Sequence, residues 1–346
     1  MKKENLCIFI GYTSFNVDFY GTEIAIVKLA EELNKKYNVY IVTLADDNTY
    51  DFNNIIYINY NKLNIDVDIL IISRYINYFI YCYFKPCKKI YLWVHDVTLL
   101  AYYQNYVFEN NGREYLHNFL NRIDKIIVLS DWHKLFFKEY YNVPDNKLSI
   151  IGNGINVNEF LPINIKIKQK NRFIWTSCLT RGIERCVSII QLLHTVFPDI
   201  ELHIFRDYSL KIDYIKSLSE LKYIYFHGKV DNLRIIEEFK KSDYWFYPTI
   251  FHETYCISAL EAQMAGCVTI ATNVASLNTT VGDHGILLQN ELSNEEIALE
   301  VIKIMNNDEL KNNIRKKGIQ WAYEQNWNNI SEKWINLFNY KKYFFF

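Results

Sequence analysis

Short runs of consecutive apolar residues alternate along the whole chain with longer stretches whose apolar positions recur at helical spacing. Residues 6–10 read as a first strand. Residues 22–35 follow as a helix, with Ile24, Ile26, Val27, Leu29 and Ala30 supplying its apolar positions. Strands are then expected at 39–43, 55–58, 68–73, 90–94, 125–129 and 148–151, with Ser130 capping a helix that begins near Asp131. These strand segments are continuously apolar and do not alternate, the pattern of a sheet buried on both faces. Strands interleaved with helices imply a parallel, doubly wound sheet.

Asn153-Gly154 reads as a turn. Residues 155–170 then lose periodicity and carry Pro162 among lysines and asparagines, which places a linker there. A second α/β series starts with a strand at 172–176 and a helix from about Ile183. It continues through strands at 201–205, 223–227, 244–247 and 268–271 and a helix over 258–265. Ser293 is placed to cap a helix at 294–306, and two more helices are expected near 308–324 and 328–340. The organisation expected is an N-terminal Rossmann-like domain over 1–155, a C-terminal one over 170–325, and a closing helix and tail over 326–346 that packs back on the first. Ligands of such sheets sit beyond the carboxyl ends of the strands, so a cleft between two such domains is the expected site.

Composition narrows the partners. The chain has 346 residues, half of them apolar, and 38 Lys+Arg against 39 Asp+Glu. Neither half is basic, so nothing signals nucleic acid or an anionic membrane. Seven cysteines, without a CxxC pair, read as free thiols of a reducing compartment. The apolar run at 6–10 is too short for a signal-peptide core, and 68–84 is interrupted by Arg74 and Asn77, so a cytoplasmic protein is expected. Asp66-Val67-Asp68 spells a metal-binding DxD but precedes a buried strand, and Asp46-Asp47 reads as a loop turn. Neither is taken as a metal site, and no metal or other cofactor is expected.

The most informative stretch runs from Phe251 to Gly266. It leaves a strand end after Pro248 and opens a helix, so the N–H groups of Thr254, Tyr255 and Cys256 are expected to lie unpaired at a helix start, where they bind anions or hydroxyl oxygens. Glu253 stands before that helix and Glu261 within it; both could also serve only the helix dipole.

Glu253 and Glu261, eight positions apart and followed by Ala262-Gln263-Met264-Ala265-Gly266, resemble the signature of the glycosyl transferases group 1, the retaining family 4 of GT-B glycosyltransferases. Other segments resemble that family in the same order: Tyr20-Gly21-Thr22-Glu23, Val128 to Trp132, Ile150 to Ile155, Thr180-Arg181-Gly182, Phe226 to Val230, and the closing helix with Trp327. The resemblance implies two Rossmann-like domains, an acceptor domain over 1–155 and a nucleotide-sugar domain over 170–325, and transfer of a hexose-type sugar, with retention and without metal, from a UDP-, GDP- or ADP-sugar to a hydroxyl on a glycan, lipid or protein-linked sugar. It implies that Arg181 binds the diphosphate, alone or with Arg185, that Gly21 lets the backbone approach the phosphates, and that Val230 lies beside the base. Glu253 would hold sugar hydroxyls, Glu261 the ribose hydroxyls, and Thr254, Tyr255 and Cys256 the donor through their amides. His95, or Asp96 in its place, would face the reacting sugar. A GT-B epimerase or phosphorylase, and a non-catalytic sugar-nucleotide-binding module, are the alternatives.

Overall fold

The computed structural model describes residues 3–11, 13–14, 21–45, 48–74, 76, 78–81, 87–99, 109–207, 211–218 and 220–339. Tyr20, Asp46-Asp47, Cys82 and the tail 340–346 lie outside them. The chain divides into two compact units, Met1–Gly154 with Trp327–Phe346, and Ile155–Asn326.

The first unit carries β1 (Asn5–Phe9), α1 (Gly21–Leu33), β2 (Asn38–Thr43), β3 (Tyr50–Phe52), β4 (Ile55–Asn59), β5 (Val67–Ser73), α2 (Tyr78–Tyr81), β6 (Cys87–Trp93), α3 (Glu109–Phe119), β7 (Lys125–Val128), α4 (Asp131–Tyr140) and β8 (Leu148–Ile150). The strands form one sheet in the order β3-β4-β2-β1-β5-β6-β7-β8. Every pairing is parallel except that of β3 with β4. Both faces are covered, so β1 and β5 are apolar at nearly every position, as a doubly covered parallel sheet requires. Ser130 takes extended φ/ψ and accepts the His133 N–H at 3.2 Å, which starts α4 where the sequence places it.

The second unit carries β9 (Gln169–Trp175), α5 (Ile183–His194), β10 (Glu201–Ile204), α6 (Ile212–Ser217), β11 (Ile224–Phe226), α7 (Asn232–Lys241), β12 (Ser242–Tyr247), α8 (Ile257–Met264), β13 (Val268–Thr272), α9 (Leu277–Thr280), β14 (Ile286–Leu288), α10 (Asn294–Met305) and α11 (Asp308–Glu324). Its sheet runs β11-β10-β9-β12-β13-β14, parallel throughout. Ser293 and Glu296 close a capping box at the start of α10.

The last helix, α12 (Trp327–Asn339), belongs to the first unit. Its Trp334 and Phe338 meet Tyr91 and Trp93 of β6 at ring distances of 5.2–6.4 Å. Gly154 lies against its first residue. A Cβ at Gly154 would stand 2.8 Å from the Trp327 ring, so only glycine admits this approach.

Two differences from the sequence expectation bear on organisation. Residues 155–168 are not a free linker: they form short 3₁₀ turns at Val157–Phe160 and Ile165–Ile167, Phe160 is buried, and Lys168 donates to the Phe239 carbonyl at 2.9 Å. Asn158, Asn164 and Lys166 are exposed, while buried Ile155, Val157 and Phe160 anchor the segment. Helices α3 and α7 also went unread, because both are polar on most positions; α7 buries only Ile236, Glu238 and Phe239.

Candidate functional site

In each sheet the strand order reverses beside the first strand, between β1 and β5 and between β9 and β12, and the carboxyl ends there are where ligands of open α/β sheets collect. In the second unit these two strand ends carry Arg181 and Glu253. After β9 the chain makes a 3₁₀ turn over Leu179–Arg181 and passes through Gly182 at φ 108° into α5. That conformation is open to glycine and costly for other residues. After β12 it runs through Pro248 to the N-cap of α8, Cys256.

Arg181 donates from Nη1 to Glu253 Oε1 at 2.7 Å, and its guanidinium lies 4.4 Å over the Phe251 ring. The Tyr247 hydroxyl donates to the same carboxylate oxygen at 2.7 Å. Burial, then the Glu253 charge, push the Tyr247 hydroxyl far above its ordinary value, so it stays a protonated donor. Thr249 ties the two loops together, donating to the Arg181 carbonyl at 2.6 Å and accepting the Phe251 N–H at 2.9 Å. Glu253 is 6% exposed and held from two sides. Half-buried Arg181 makes no other side-chain hydrogen bond among the described residues, which leaves most of its planar fork available.

Tyr255 and Cys256 precede α8, and among the described residues their N–H groups meet no acceptor. Thr254 stands beside them, half-buried. Burial, then Glu253, push the Cys256 thiol up to about 12, so it does not serve as a thiolate at neutral pH. Glu261 lies in α8, and its carboxyl makes neither a hydrogen bond nor an ion pair among the described residues. Burial, then the charge of Glu159, push its carboxyl up to about 7. Val230 precedes Asp231, whose side chain accepts the Arg234 N–H at 2.8 Å and caps α7. Arg185 does not join Arg181: it donates to the Leu292 carbonyl at 2.6 Å and to Asn294 at 3.3 Å, so it fastens the segment before α10.

In the first unit, Gly21 opens α1 with φ 30°. His95 follows β6, and its ring lies tilted against Trp93 with centroids 4.4 Å apart. Burial, then the charges of Arg74 and His133, hold its imidazole down at about 3. His133 is held at about 4 by burial, against a hydrogen bond to the Asp96 carbonyl at 3.1 Å. Asp96 pairs with Arg74, whose Nε donates to its carboxylate at 2.7 Å. Asp68 of the DxD spelling accepts the Asn5 N–H at 2.8 Å and pairs with Lys88 at 2.7 Å, which accounts for it structurally.

Residues 159–321 match the family model for glycosyl transferases group 1, a span that covers nearly all of the second unit, including Arg181, Glu253 and Glu261. An uncharacterised glycosyltransferase of Methanocaldococcus jannaschii is 27% identical over 234 residues, which is 64% of this chain and 56% of that protein. The match thus spans little more than half the length of that relative. The sucrose-phosphate synthase of Thermosynechococcus elongatus superposes with a TM-score of 0.78 at 14% identity, covering 97% of this chain and 98% of that one. HepE of Anabaena, in a complex with UDP, superposes with a TM-score of 0.73 at 13% identity over 96% and 99%. The fold is GT-B, two Rossmann-like units in one chain.

The structure brings Arg181, Glu253 and the amides of 255–256 to neighbouring strand ends, while His95 and Gly21 stand in the other unit. Sequence reasoning missed Tyr247, Thr249, Glu159 and Arg74. Tyr247 reads as an ordinary aromatic strand residue; the one available signal was a hydroxyl at the last position of a buried strand, where it needs a partner. Glu159 fell in the segment read as linker, and Arg74 registered only as a break in an apolar run.

Proposed function

We propose that the protein transfers a sugar from a nucleotide-sugar donor to an acceptor hydroxyl, with retention at the anomeric carbon and without a metal ion. The observation that carries this is the Arg181–Glu253 pair at adjoining strand ends beside the open amides of α8. A leaving nucleoside diphosphate gains negative charge as the glycosidic C–O bond breaks, and a guanidinium and helix N–H dipoles stabilise that charge where it develops. The acceptor oxygen forms the new bond to the anomeric carbon. The electron pair of the old bond departs with the diphosphate, whose oxygen takes the acceptor's proton.

Glu253, fixed by Tyr247 and Arg181, accepts hydrogen bonds from sugar hydroxyls. Glu261 accepts from the ribose diol, which its unpartnered carboxyl suits. Neutral His95 hydrogen-bonds a hydroxyl of the transferred sugar. HepE has been crystallised with UDP, so uridine diphosphate sugars are the first donors to test. The experiment is nucleotide release from UDP-, GDP- and ADP-glucose in EDTA, with and without glycoside acceptors. Acceptor-dependent release that survives EDTA is expected. Binding without any release would reduce the protein to a binding module, and release abolished by EDTA would remove the metal-free mechanism.

A further inference from the structure

Arg181 is held at one point of its edge. Its Nη1 donates to Glu253 Oε1 at 2.7 Å, and among the described residues its side chain makes no other hydrogen bond. One such bond fixes one atom and leaves the planar head free to swivel about it. A second, parallel bond to the carboxylate would set the plane. Here the Tyr247 hydroxyl shares the same Glu253 oxygen, which steadies the carboxylate but does not orient the guanidinium.

The face of the guanidinium is covered by Phe251. The guanidinium carbon lies 4.4 Å over the centre of that ring, well inside the roughly 6 Å reach of a cation–π contact. Arginine meets an aromatic face with its own flat side, so the contact orients the head as well as anchoring it. The ring is 41% exposed and adds little to the core, and the backbone around it is what holds it in place. The Phe251 N–H donates to Thr249 Oγ1 at 2.9 Å and the Glu253 N–H to the Phe251 carbonyl at 3.0 Å. The Ser276 N–H donates to the Glu253 carbonyl at 3.2 Å, and Thr249 Oγ1 donates to the Arg181 carbonyl at 2.6 Å. Edge contact and face contact thus come from residues of one pinned turn, and that turn is bonded to the backbone of the arginine it orients.

We propose that Phe251 is a positioning residue for the transfer reaction: it fixes the plane of the Arg181 guanidinium, so that the fork offers its free N–H edge to the diphosphate oxygens of the donor. The role rests on the glycosyl transfer proposed above. Phe251 acts through Arg181 and needs no contact of its own with the donor. Coulomb attraction between a guanidinium and a diphosphate changes little when the head swivels, so donor binding survives loss of the plane. Charge that gathers on one phosphate oxygen as the glycosidic bond breaks is more demanding. It is stabilised by an N–H already aimed at that oxygen. Phe251 therefore bears on kcat more than on KM.

The test compares the full chain with Phe251→Leu, which stays apolar but loses the aromatic face, and with Phe251→Tyr, which keeps it. Nucleotide release is followed with whichever of UDP-, GDP- or ADP-glucose the wild type turns over, with methyl glycosides and disaccharides as acceptors. In Phe251→Leu kcat should fall on the order of tenfold while the donor KM stays within about threefold, and Phe251→Tyr should recover most of the loss. In an Arg181→Ala background, assayed at high enzyme concentration, Phe251→Leu should cost nothing further, because the head it orients is gone. Melting temperatures check folding, and Phe251→Met takes the place of Phe251→Leu should that variant not fold. A wild-type-like kcat in Phe251→Leu, an equal loss in Phe251→Tyr, a raised KM at unchanged kcat, or the same loss with and without Arg181 overturns the role. Any of these results in a chain that turns over donor sinks the role of Phe251 alone; no turnover with any donor sinks the transfer reading and this role together.

Discussion

At Glu253 a single carboxylate oxygen takes both the Arg181 guanidinium and the Tyr247 hydroxyl. A group so held is pre-aimed, and in the proposed role it needs little reorganisation to receive a sugar hydroxyl. Arg181→Ala and Glu253→Gln should therefore each lower kcat/KM on the order of 10² or more, measured as initial rates of acceptor-dependent nucleotide release, while far-ultraviolet circular dichroism stays unchanged. The two buried histidines of the first unit predict a pH effect of definite sign. Each takes its proton near 6.5 in the unfolded chain, but only near 3 for His95 and 4 for His133 in the fold. Between those values the unfolded state binds more protons, so their contribution is complete above about pH 6.5 and is lost as pH falls. Each can tilt stability by up to about 1.4 kcal/mol per pH unit. Urea unfolding at pH 7.5, 6 and 5 should show that decline, and His95→Asn should flatten it.

At the scale of elements, the pattern of apolar runs was enough to place most strands and the capped helices within a residue or two, because burial on both faces leaves no polar position to blur them. Ser130 and Ser293 were readable for the same kind of reason: a side-chain oxygen ahead of a periodic stretch has one obvious use. What stayed hidden was polar or short. β3 is exposed along its whole length, and α3 and α7 are polar on most positions. Around the site, the Glu253 and Glu261 spacing was legible, but the side chain that steadies Glu253 was not, since no pattern in sequence brings a strand-end tyrosine to a carboxylate six residues later. Gly154 gives an element-scale prediction. Gly154→Ala drives a methyl into Trp327 and should cost about 1–3 kcal/mol, read as a lower Tm by calorimetry.

Over the whole molecule, the chain leaves the first unit after Gly154 and returns to it at Trp327. The ends of the second unit are neighbours: the Ile155 N–H donates to the Gln325 carbonyl at 2.9 Å, and Ile155 and Asn326 form a parallel bridge. The first unit, in contrast, takes α12 as the cover of β6. Residues 155–326 expressed alone should unfold cooperatively, whereas 1–154 should not do so until residues 327–339 are restored. Denaturant titration of the three fragments decides it.

The closeness of Gly154 to Trp327 means that the second unit behaves as a guest threaded into a host. Cutting the guest out leaves two host ends almost touching, so a short glycine–serine stitch should heal the wound and yield a smaller protein with the complete first sheet and its covering helix.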